Sequence, residues 1–83
     1  MIIDEDWGIA PDRIAGFFQN QPDVISDGSG FSYGQCRITL TAREGRAMGK
    51  WPIMRTQVRM EGPEGEVKAI HRRFFLQFLS AGG

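Results

Sequence analysis

At 83 residues, with ten acids, ten bases and one histidine, the chain is long enough for one domain and carries no net formal charge. A single cysteine, Cys36, rules out an internal disulfide and a cysteine-based metal site within one chain, and fits a reducing compartment. The opening MIIDEDWG is acidic where a signal peptide is basic, and no apolar run reaches the length of a membrane span, so a cytoplasmic protein without membrane contact is expected.

The charge is unevenly spread. The first thirty residues hold six acids and one base, and the rest hold nine bases and four acids. Such asymmetry marks either a nucleic-acid surface or two halves that complement each other, on folding or across a dimer.

In chain order, residues 1–8 read as a flexible lead-in. Ile2, Ile3 and Trp7 are apolar enough to dock as a short edge strand, and Asp4, Glu5 and Asp6 should stay in water. Pro11 suits the first position of a helix, where its missing N–H is no loss, and Asp12 suits the first turn through the helix dipole. Ala10, Ile14, Phe17 and Phe18 form its apolar stripe. Gly16 weakens this helix, and a close backbone neighbour would explain its presence. The helix should stop near Asn20, because a residue before proline is pushed out of the helical region and Gln21 precedes Pro22. Val24 and Ile25 form a short strand, and Asp27-Gly28-Ser29-Gly30 is turn chemistry.

Residues Phe31 to Ala42 give the clearest strand. Cys36, Ile38, Leu40 and Ala42 alternate with Gln35, Arg37, Thr39 and Thr41, as in a half-buried strand. Phe31 and Tyr33 fall on the polar parity, and Gly34 allows a bulge that changes it. Arg43 to Lys50 is a loop, followed by Trp51-Pro52. Ile53 to Glu61 is the partner strand, with Met54, Thr56, Val58 and Met60 on one face and Arg55, Gln57, Arg59 and Glu61 on the other. Gly62 to Glu66 leads into a closing helix over Val67 to Leu79. Glu64 and Glu66 suit its start, whereas Gly65 favours a start one turn later. Val67, Ile70, Phe74 and Phe78 recur at spacings of three and four and form its buried stripe. Residues 81–83 should fray.

The expected fold is therefore α+β: a helix, two or three antiparallel strands, and a C-terminal helix packed on one sheet face. The whole chain, 1–83, is one domain.

The motifs that carry chemistry elsewhere are incomplete here. His71-Arg72-Arg73 lacks the partners of an acid–base site, and His71 borders the apolar stripe, so a packed, hydrogen-bonded histidine is expected. DGSG precedes a strand and GPEG lacks the lysine and hydroxyl of a phosphate loop. The acids Asp4, Glu5, Asp6 and Asp12 lack calcium-loop spacing. Cys36 has core parity and should behave as a small apolar residue. No catalytic residue, metal or cofactor is assigned.

Two surfaces remain. Leu76 and Leu79 fall off the buried stripe, and Trp7 and Trp51 flank loose segments, so a chain this short cannot cover all four. An exposed apolar patch marks an interaction site. These residues point to a non-enzymatic interaction module, self-associating as a homodimer or meeting another protein. The alternative is single-stranded nucleic-acid binding on the sheet's polar face, where Arg37, Arg55 and Arg59 would neutralise phosphate and Tyr33 and Trp51 would stack bases.

Overall fold

The computed structural model describes residues 1–44 and 54–81. The expected turn at 45–50, Trp51, Pro52 and Ile53, and the fraying at 82–83, lie outside the described residues.

The architecture is α+β, with two helices and one five-stranded antiparallel sheet. In chain order the elements are β1 (Ile2–Trp7), α1 (Pro11–Gln19), β2 (Ile25–Ser26), β3 (Phe31–Tyr33), β4 (Cys36–Glu44), β5 (Met54–Glu61) and α2 (Glu64–Ala81). The sheet order is β1-β5-β4-β3-β2. Strands β2 to β5 form a meander, and β1 joins its far edge beside β5. Helix α1 therefore carries the chain from one edge of the sheet to the other, and α2 returns across the same face.

Five strands replace the expected two or three, for two physical reasons. The first lies at Phe31–Ala42, which is two strands rather than one. Tyr33 pairs with Cys36 across a two-residue turn, and Gly34 takes φ 58° at its first position. That is the glycine placement of a type II′ hairpin, whose twist matches the strands it joins. The turn changes parity by one, so Phe31 and Tyr33 come to the inner face beside Ile38 and Cys36. The second lies at residues 1–8, where the lead-in is tied down as β1. Its register runs from Ile2 opposite Glu61 to Trp7 opposite Thr56. The loop expected from Arg43 also begins later, since β4 pairs with β5 through Glu44 opposite Met54.

Helix α1 begins as the sequence directs. Pro11 opens α1, with Ala10 extended before it. Gly16 has no atom within 4 Å of where a Cβ would stand, so close backbone approach does not explain it. Helix α2 starts at Glu64, a turn earlier than Gly65 suggested. The Val67 N–H donates to the Pro63 carbonyl at 3.0 Å, and Glu66 accepts from the Gln35 N–H at 2.5 Å. These bonds fix the first turn against the β3–β4 hairpin and offset the weak propensity of one glycine.

The core lies between the sheet and the two helices. Ile14 and Phe18 of α1, Ile38, Val58 and Met60 of the sheet, and Val67, Ile70 and Phe74 of α2 are all fully buried. Phe18 stacks on Phe74 at 5.7 Å, and Phe17 meets Phe78 edge-on at 5.7 Å. Aromatic pairs in these arrangements add to what their burial contributes. Cys36 is buried among them, and desolvation pushes its thiol up from the ordinary value, so it stays protonated and inert at neutral pH. Thr56 is the polar exception among the buried residues described, and its hydroxyl donates to the Ile9 carbonyl at 2.6 Å.

Candidate interaction surfaces

The outward face of α2 follows from the same periodicity that buries its inner face. With Val67, Ile70, Phe74 and Phe78 turned to the sheet, the positions opposite are Lys68, Arg72, Leu76 and Leu79, with Phe75 on their flank. Leu76 is 56% exposed, Leu79 54% and Phe75 37%. Three apolar side chains thus share one stripe near the end of α2. Phe75 joins the two expected leucines.

Trp7 does not stand out in solvent. It is half-buried, and its ring meets Phe74 edge-on at 4.9 Å and Phe75 at 5.8 Å. The indole N–H donates to Glu5 Oε1 at 3.1 Å. His71 Nε2 lies 2.8 Å from the same oxygen. One carboxylate on β1 therefore ties the edge strand to α2, and His71 is packed and hydrogen-bonded as its position implied. Through Phe75, Trp7 forms the wall of the exposed stripe rather than part of it. Trp51 lies outside the described residues.

The opposite face of the sheet is open. Arg37, Arg55 and Arg59 do share it, with Thr39, Thr41 and Gln57. Tyr33 does not. The hairpin turn puts it on the helical side, where the Arg73 guanidinium covers its ring at 5.2 Å. The arginines are also not a bare cationic patch. Arg55 Nε is 3.1 Å from Asp6, and Arg59 is 3.6 Å from both Asp4 and Glu61. Gln57 adds a bond to Asp4 at 2.7 Å. Arg37 grips Asp27 with both terminal nitrogens and also reaches Ser29 Oγ at 2.7 Å. Hydrogen bonds from Arg37, reinforced by the Ser29 N–H, pull the Asp27 carboxyl down to about 2.

On α2, Arg73 pairs with Asp23 at 2.8 Å and holds that carboxyl below its usual value. Four arginine–aspartate pairs thus join the acidic first thirty residues to the basic remainder. The charge asymmetry of the sequence is largely answered within one chain.

A third feature was not legible in the sequence. An open cleft of about 420 Å³ runs between α1 and the β2–β3 turn, lined by Pro11, Ala15, Phe31 and Leu40 with Asp12 and Ser29 at its rim. Its walls come from segments distant in the chain, so no local pattern announces it. Among the described residues, no buried side-chain polar atom lacks a hydrogen-bond partner. No group of three or more His, Cys, Asp or Glu among the described residues is placed to hold a metal ion. No described helix is long and apolar enough to cross a membrane.

Comparison with protein-family models, with curated proteins and with solved structures gave no match.

Proposed function

We propose that this protein is a small non-enzymatic interaction module that self-associates through the outward face of α2. The observation that carries this reading is the contiguous exposure of Phe75, Leu76 and Leu79 on one helical stripe. Clustered apolar side chains gain by leaving water together, whereas scattered ones need no explanation. The interface is small. Three apolar side chains and their neighbours fall well short of the ~20–30 residues a side of a standard interface. Association is therefore weak and depends on protein concentration.

The second reading, single-stranded nucleic-acid binding on the sheet face, is less well supported. Arg37, Arg55 and Arg59 each face an aspartate, and a phosphate would have to displace it. The aromatic partner at Tyr33 is on the other side of the sheet.

Light scattering after gel filtration tests the first reading. The apparent mass should rise with loading concentration, and Leu79→Lys should hold the protein at the monomer mass without lowering its melting temperature. A constant monomer mass at every concentration removes the proposal. Anisotropy of a labelled oligonucleotide at low salt separates the two readings: a large, salt-sensitive rise favours the nucleic-acid one.

A further inference from the structure

We infer that the second copy docks antiparallel on α2, with the two-fold axis beside Leu76 and each Arg72 set against the last turn of the other helix. This rests on the self-association proposed above and adds the geometry.

The outward face of α2 is sorted along its length. Lys68 and Arg72 lie towards its N-terminal half, and Phe75, Leu76 and Leu79 towards its C-terminal half. The ends are also unequal in charge. Glu64 and Glu66 occupy the first turn, while the last turn has no basic residue. A helix end leaves its final carbonyls without intrahelical donors and carries the negative pole of the helix dipole. Among the described residues, no basic side chain of the last turn answers that pole. Lys68 is taken up by Glu64 at 2.7 Å and Arg73 by Asp23, whereas Arg72 forms no ion pair among the described residues.

A parallel pair would set Arg72 on Arg72 and the two negative helix ends side by side, a like-with-like arrangement on both counts. An antiparallel pair overlaps the two apolar halves around Leu76. It then carries Arg72, four residues before that point, to the level four residues after it on the other copy. There its guanidinium meets the negative pole of the other helix. Pairing along the free edge of β1 is disfavoured for a similar reason, because it would bring two runs of Asp4, Glu5 and Asp6 together.

Cross-linking reads the geometry directly. Leu76→Cys and Lys68→Cys are each oxidised mildly in solution, with the native Cys36 buried and out of reach. Lys68 lies eight residues from the axis, so at 1.5 Å per residue the two copies of that position stand about 24 Å apart in the antiparallel pair. Leu76→Cys should give a disulfide-linked dimer, and Lys68→Cys should stay monomeric. Comparable cross-linking at both positions means a parallel pair and overturns this geometry, while self-association stands. Cross-linking at neither position, with the wild type still dimeric by light scattering, places the interface off α2 and overturns both. A wild type that is monomeric throughout overturns both as well.

Discussion

Thr56 sits at the boundary between core and polar chemistry. The residue is fully buried, and its hydroxyl satisfies the Ile9 carbonyl after β1. Thr56→Val keeps the shape and strands that carbonyl, so it should lower stability by about 1–3 kcal/mol in urea denaturation. Two glycines give opposite expectations by the same kind of argument. Gly16 stands in open space within α1, so Gly16→Ala should stabilise the protein by about 0.5–1 kcal/mol. A Cβ at Gly62 would lie 2.8 Å from both Cys36 Cα and the Gln35 carbonyl oxygen. Gly62→Ala must push backbone against backbone, and its melting temperature should fall. Asp27 and Asp23 set the acid limb. Both carboxyls titrate lower in the folded protein than in the unfolded chain, so the unfolded chain takes up protons first as pH drops. Their stabilisation is complete above pH ~4 and is lost as pH falls towards 2. The Asp27→Asn variant should therefore lose less melting temperature than the wild type between pH 4 and pH 2.

At the scale of elements, both helices and the β4–β5 pairing could be read from the sequence, because each has one clean period. Ile14 and Phe18, and Val67, Ile70, Phe74 and Phe78, repeat at helical spacing. Ile38 and Leu40 face Met60 and Val58 at strand spacing. Strand β1 was legible only in part, as a lead-in able to dock as a short edge strand. Its inward positions are Ile3, Glu5 and Trp7, so a carboxylate interrupts the apolar face, and it is tolerable only because Trp7 and His71 bond to it across elements. The β3–β4 turn was hidden for another reason. A two-residue hairpin with glycine first looks, in sequence, like one long strand with an irregularity. The same limits apply to the surfaces. Leu76 and Leu79 are exposed as the helical period implies. Trp7 is covered by Phe74 and Phe75, partners that no local pattern names. Leu79→Lys belongs to this scale too. It changes an exposed position, so folding should be unaffected, within about 0.5 kcal/mol, while association is lost.

For the whole molecule, folding and the proposed association draw on different faces. The four arginine–aspartate pairs bind the acidic start of the chain to the basic remainder, across the open side of the sheet and along the flank of α2. Of the exposed large apolar side chains, Phe75, Leu76 and Leu79 share one helix, on the side of α2 away from the core, whereas Met1, Ile2, Ile25 and Met54 lie on other elements. The proposed self-association calls for a measurement that reports both concentration dependence and location. Amide chemical shifts recorded across a dilution series do so residue by residue. Shifts that move with concentration should be confined to residues around 72–80, with the sheet face unchanged. Shifts that move instead along β1 or across Arg37, Arg55 and Arg59, or that do not move at all, would contradict an interface on α2.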